Sequence, residues 1–378
     1  MFGKKGIIAL LVGTEKLSLV SFEISRNAFF PQITGMLEQK YSGFQDGEFL
    51  RVEELYPTIK KLIDNFYIRF NKKVKRLYIA VPGEFSCAVS KNVERDIDKR
   101  IKEEDLEEMF FIGDTYSAHQ KFVNIDRSGV FYKTDCNPRK LLNPVGQSCN
   151  RVLAKLSYIL AERYFIDIFN EIAARLNIKV KYISSIFSEV GYVNKLKSIK
   201  ELSDTLYLNL GYLSSTLSYS MGKGILNMTS FSLGGGTVAG DITIVMNIPF
   251  SHSYELYNKL NLNIQPEQDQ VYSIFVDGEN FCYDIKTINA IAEERIFDIA
   301  GYIKSAIEGF DIDIEDNVPL YMGGSAICRL PGVREIIENV CARPVETIMT
   351  DYTGWEATEN LSLISVLNYF YNKQINKR

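Results

Sequence analysis

The chain has 378 residues, 46% of them hydrophobic and 24% charged, with a net charge of −4. That length is enough to bury a large core in at least two domains or subdomains, and the slightly acidic balance excludes a nucleic-acid binder that relies on bulk electrostatics. His119 and His252 lie far apart and the six cysteines show no CxxC or other metal spacing, which argues against a zinc site or a histidine-based triad and suits reduced thiols in a cytoplasmic protein.

The first expected elements are strands. Residues 7–12 form an apolar run after Lys4 and Lys5, too short for a secretory core and followed by no small-residue cleavage site, so it reads as a buried strand. Gly13-Thr14 turns the chain into a second strand over 17–24, and 28–36 adds a third. Residues 53–70 place Leu55, Ile59, Leu62, Phe66 and Phe70 on one helical face. The basic cluster Lys72, Lys73, Lys75 and Arg76 reads as a solvated turn before the short strand 77–81, which Pro82-Gly83 closes. From 84 to 160 the chain becomes more polar and loop-rich, with a helix opening at Glu103 and a closing strand at 151–160, and we read it as a small inserted α+β unit. Helical periodicity returns at 162–176, followed by a strand at 180–183 and a helix at 187–196.

The second half repeats the theme. Residues 206–222 read as two strands folded back through Gly211, Tyr212 and Leu213; between 201 and 241 Asp204 is the one carboxylate. Further strands are expected at 224–231, 271–276, 318–322 and 345–349. Helices are expected at 238–246, 254–262, 288–307 and 333–341, with a last helix near the end of the chain. No stretch of about 18 apolar residues occurs, so no transmembrane helix is expected. The polar residues 372–378 predict no amphipathic terminal anchor.

Glycine turns mark the candidate chemistry. Gly234-Gly235-Gly236-Thr237 lies between a strand and a helix, where backbone N–H groups and the helix N-terminus favour an anion. Gly323-Gly324-Ser325 follows an apolar strand, a place where glycines can pack flat on a purine and ribose. Gly13-Thr14 could offer an N–H and a hydroxyl to a phosphate. Each is also an ordinary tight turn; their order along the chain is what gives them weight.

That order is the layout of the actin-like ATPases, and within them the chain resembles the bacterial cell-division protein FtsA. Gly13, Thr14 and Lys16 resemble the family's first phosphate loop. The run Asn143-Pro144-Val145-Gly146 with Ser148 and Arg151 resembles the signature that closes its inserted subdomain, and Glu103-Glu104-Asp105 its acidic helix start. Gly234 and Gly235, with Asp241 beyond, resemble the Gly-Gly turn and Asp-Ile helix, and Gly323, Gly324 and Ser325 the adenosine loop. The resemblance implies an α/β, actin-like, two-lobed duplicated fold of the ribonuclease H type. Residues 1–83 and 161–204 would form the first lobe, 84–160 the inserted α+β subdomain, 205–350 the second lobe, and 351–378 a helix returning to the first.

The departures from the family concern catalysis. Leu11 stands where the family carries an aspartate, Asn209 and Thr216 replace the two aspartates of the second loop, and Tyr257 takes the place of a lysine near the adenosine. Magnesium wants carboxylate oxygens, and loss of a positioned acid–base group costs roughly 10²–10⁴ in rate. The resemblance therefore implies a pseudo-ATPase with no catalytic residue and no magnesium. A nucleotide cleft of Gly13, Thr14, Lys16, Gly211, Ser214, Gly234, Gly235, Gly323, Gly324 and Ser325 leaves ATP binding open.

Three functions compete. An FtsA-like cytoplasmic scaffold would bind the C-terminal tail of FtsZ or another division or envelope protein, self-associate into filaments, and reach the membrane only through a partner. An ATPase with rearranged residues would need Asp241, Glu255 or Asp204 in the cleft. An adaptor of the PilM type would bind a peptide of a membrane partner in pilus assembly.

Overall fold

The computed structural model describes residues 5–24, 30–116, 119–199, 202–265, 267, 269–310, 312–324 and 326–375. The chain opens with β1 (Lys5–Val12), β2 (Lys16–Ile24) and β3 (Gln32–Lys40), then a tiny hairpin, β4 (Phe44–Gln45) and β5 (Glu48–Phe49). Helix α1 (Val52–Phe70) and strand β6 (Arg76–Val81) follow. Leu55, Ile59, Leu62 and Phe66 bury one face of α1, which stops at Asn71 in a left-handed conformation (φ 50°). The third strand sits later than the expected 28–36, and residues 25–29 lie outside those described.

The next stretch is mostly strand. It holds β7 (Ser86–Asp96), α2 (Glu103–Gly113), β8 (Phe122–Thr134), β9 (Asn137–Leu141) and β10 (Arg151–Glu162), in a four-stranded sheet of order β7-β10-β8-β9. Its expected loop character is corrected here. Strand β10 is buried continuously from Leu156 to Ala161, while exposure alternates over the end of β7 (92–96) and of β8 (130–134), where one face is buried and the other more open. Helix α2 covers that face through Met109, over a core that includes Val152, Leu156 and Tyr158. The Asn143–Gly146 turn is held to residue 101: the Gly146 N–H donates to Ile101 O at 2.8 Å and the Ile101 N–H to Gln147 O at 3.0 Å.

The first lobe resumes with α3 (Arg163–Leu176), β11 (Lys179–Ser184) and α4 (Ser185–Leu196). The second comprises β12 (Asp204–Leu210), β13 (Ser215–Met221), β14 (Gly224–Phe231), α5 (Gly235–Met246), α6 (Phe250–Lys259), β15 (Val271–Val276), β16 (Glu279–Asp284), α7 (Ile285–Glu308), β17 (Leu320–Gly324), α8 (Val333–Cys341) and β18 (Val345–Thr347). Helix α9 (Leu361–Ile375) closes the described chain.

Two five-stranded sheets then show the same plan. Their orders are β11-β6-β1-β2-β3 and β18-β17-β12-β13-β14, each with three antiparallel strands and two more added in parallel. Helices α4 and α9 share a core with Ala9 and Ile183 of one sheet and Tyr207 and Tyr321 of the other. The inserted sheet abuts the second lobe directly: the Ser157 hydroxyl donates to Ile225 O at 2.6 Å, and a Cβ on Gly224 would lie 2.5 Å from a Val130 methyl. No helix among the described residues is long and apolar enough to cross a membrane.

Candidate functional site

The β1–β2 turn, the β12–β13 turn and the start of α5 converge between the lobes, where a cleft of about 750 Å³ lies. Gly13, Thr14, Lys16, Gly211, Ser214 and Gly324 line it, as do Leu11, Asn209 and Thr216, at the positions of the replaced aspartates. Gly234, Gly235 and Gly323 do not line it, and Ser325 lies outside the described residues.

The donors expected to hold a phosphate are bonded within the chain. Gly13 N–H donates to Lys16 O at 3.0 Å and Gly211 N–H to Ser214 O at 3.0 Å. At the N-terminus of α5, Gly235 N–H donates to Gly211 O at 3.2 Å and Gly236 N–H to Tyr212 O at 2.7 Å. An α-helix leaves its first N–H groups without intrahelical partners; here carbonyls of the β12–β13 turn take two of them. Glycine is required at Gly234 because a Cβ there would lie 2.4 Å from Gly211 O.

Side chains fill what remains beside α5. A Cβ on Gly235 would lie 2.0 Å from the Tyr257 hydroxyl, and Tyr257 is fully buried. Tyr212 packs edge-on against Tyr254 and Tyr257, with ring centroids at 5.9 and 6.2 Å. Leu213 lies against Gly236 and reaches Gly43 of the first lobe, while its N–H donates to the Thr14 hydroxyl at 3.4 Å. On the other side, a Cβ on Gly323 would lie 2.2 Å from a Leu361 methyl of α9.

The replaced acidic positions have settled partners. Asn209 Nδ2 donates to Glu189 at 2.7 Å, and the Thr216 hydroxyl lies 2.8 Å from that of Ser230. Asp241 is paired with Arg295 (3.0 Å to Nη2) and Asp204 accepts from the Tyr219 hydroxyl at 2.9 Å. Asp241, Asp204 and Glu255 are absent from the cleft lining. Among the described residues no cluster of three or more His, Cys, Asp or Glu could hold a metal ion.

No protein-family model matches the sequence, and no curated protein does. Solved structures do. The PilM-PilN type IV pilus biogenesis complex aligns with 97% of this chain and 98% of its own, at TM-score 0.63 and 12% identity. MreB 5 of Spiroplasma citri bound to AMPPNP aligns over 99% and 97%, at TM-score 0.56 and 9% identity. Ethanolamine utilization protein EutJ from Carboxydothermus hydrogenoformans covers 96% and 89%, at TM-score 0.53 and 9% identity.

The chain has the actin-like ATPase fold.

Within this actin-like cleft stand carboxylates that the sequence motifs did not single out. Glu189 of α4 is fully buried; it accepts from the Tyr207 hydroxyl (2.8 Å), Asn209 (2.7 Å) and the Ser362 hydroxyl of α9 (2.5 Å). Burial pushes its carboxyl above the usual range, and the three hydrogen bonds offset this only in part. Burial raises Glu15 as well, against the pull of Lys40 and Lys16. Glu84 accepts from Gly47 N–H at 2.6 Å. Glu15 occupies the unassigned position of the Gly-Thr-x-Lys loop, a signal that was present in the sequence. Glu189 lies mid-helix, and nothing local marks it.

Proposed function

We propose that this protein is a nonhydrolytic actin-like adaptor that works by holding other proteins together. The observation that carries the proposal is the pair of N–H groups at the start of α5, bonded to Gly211 O and Tyr212 O beneath the Tyr257 ring. A phosphate can enter there only by breaking both bonds and displacing a buried tyrosine. The composition of the cleft agrees with this reading, because five glutamates line it against Lys16 and Arg69, a balance that disfavours a polyphosphate that brings no tightly held metal. Thermal-shift and calorimetric titration with ATP, with and without magnesium, test it: no shift is expected at millimolar nucleotide, and a saturable rise in melting temperature overturns it.

A partner-binding role draws support from the neighbour seen as the PilM-PilN complex, which the chain matches from end to end. The division-type reading rests on the Asn143–Gly146 stretch and its surroundings. Binding of an FtsZ tail peptide at micromolar concentration would favour division, and capture of a pilus-assembly peptide in its place would favour the PilM type.

A further inference from the structure

The charge left open in the cleft asks for a ligand of its own. Its carboxylates are Glu15, Glu38, Glu84, Glu189 and Glu359, against Lys16 and Arg69. Lys16 is committed to Glu38 at 2.7 Å, and Arg329 pairs with Glu359 at 3.4 Å. Among the described residues none of Glu15, Glu84 and Glu189 is held in an ion pair, although Lys40 and Lys16 act on Glu15 from farther away and the Tyr254 hydroxyl donates to it at 3.5 Å. Glu189 is satisfied by neutral donors; the other two are less so.

Two unpartnered acceptors accompany this charge. Glu84 uses Oε1 on Gly47 N–H, while its Oε2 is buried with no hydrogen-bond partner. The Tyr212 hydroxyl, on a side chain only 7% exposed, is likewise unpartnered, and lies within the field of Glu15. Buried polar groups are nearly always paired, and a buried oxygen beside carboxylates that no ion pair holds is suited to a cationic donor.

We propose that the interlobe cleft binds an organic cation, a primary ammonium or guanidinium group, with Glu84 and Glu15 as counter-charges and the Tyr212 hydroxyl as a further acceptor. An ammonium brings three donors and no acceptor, which matches a lining of unpaired oxygens. The cation is either a free polyamine or a lysine or arginine side chain of a bound partner; the chemistry is shared. The inference rests on the reading that the cleft is not a nucleotide site.

The test is titration of the full chain with spermidine and, separately, with a tetralysine peptide, at low and high salt, followed by melting temperature and calorimetry. At least one probe is expected to bind one-to-one and to raise the melting temperature. Spermidine alone points to a free polyamine, and tetralysine alone to a partner's side chain. Glu84→Gln keeps the acceptor for Gly47 and should weaken binding about tenfold; Glu15→Gln should do the same, and Asp64→Asn, on the exposed face of α1 and outside the cleft lining, should change it little. Absence of binding by both probes, or equal weakening in all three variants, overturns the cation site. ATP runs in parallel: a shift with ATP overturns the reading beneath it, whereas silence from both ATP and the amines removes the cation inference alone.

Discussion

Replacing Glu189 by glutamine removes a charge and keeps the shape. The side-chain oxygen can still accept from Tyr207 and Asn209, while the new amide can donate to Ser362, whose hydroxyl accepts as readily as it donates. In the native fold burial holds the Glu189 carboxyl above the ordinary range of a glutamate. A carboxyl raised on folding stabilises most when protonated. Its contribution is complete below the unfolded value and is lost as the pH climbs through the folded one. Each unit of upward shift is about 1.4 kcal/mol. Glu189→Gln should therefore gain on the native protein as pH rises from about 4.5. Glu189→Ala strands the Tyr207, Asn209 and Ser362 donors and should lose about 3–5 kcal/mol. Urea unfolding of the three proteins at a series of pH values reads both effects. A Glu189→Gln variant as unstable as Glu189→Ala, or a flat difference between about pH 5 and pH 8, refutes the argument that this carboxylate is buried against neutral donors alone.

Tyr257→Phe removes a buried hydroxyl that has no partner among the described residues, so it should be neutral or stabilise by about 1 kcal/mol in thermal unfolding; a large loss would show that the hydroxyl is bonded. Gly235→Ala drives a methyl into that same hydroxyl and should cost about 1–3 kcal/mol. Gly324→Ala should cost more, since φ is +121° and Leu210 O lies 2.5 Å from the new Cβ; a variant that melts with the native protein would contradict the backbone geometry. Asp241→Asn weakens a partly exposed pair with Arg295 and should cost about 1 kcal/mol or less. It should leave any phosphate release from ATP unchanged, and its abolishing such release would restore Asp241 to the cleft.

The duplicated plan was legible because its signals are local. The apolar run 7–12 and the hairpin around Gly211 announce the central strands, and the glycine turns announce where the elements meet. The hairpin strand Glu279–Asp284 was missed although Asp277-Gly278, both at positive φ, carries a turn signature that could have found it. Helix α6 begins at Phe250, four residues earlier than expected; Pro249, which fixes its entry, was the overlooked mark. At the site, the lost aspartates and the bulk of Tyr212 and Leu213 could be read in order along the chain. The destinations of the N–H groups of Gly235 and Gly236 could not, because their acceptors lie more than twenty residues upstream and are backbone atoms. Glu189 was invisible for the same kind of reason: its three donors come from two strand positions and a helix far apart in sequence.

Internal filling of the cradle also changes what can move the lobes. A ligand shifts a conformational equilibrium only by binding its two states unequally. In this chain the two sides are already joined by the chain's own groups: Leu213 N–H to the Thr14 hydroxyl, Asp46 N–H to the Ser232 hydroxyl at 3.1 Å, and the Ser157 hydroxyl to Ile225 O through the inserted sheet. Thr216 of the second lobe packs onto Gly83 of the first, closely enough that a Cβ there would lie 2.2 Å from its hydroxyl. None of these bonds needs a bound molecule. On this reading Gly83→Ala is the variant that separates lobe closure from ligand binding. It should force Thr216 off its seat and open the cleft, increasing hydrogen exchange at β13 and at the β12–β13 turn while the first-lobe sheet stays protected. Unchanged exchange at β13 in a folded Gly83→Ala protein would refute the claim that direct contact between the lobes holds the cleft closed.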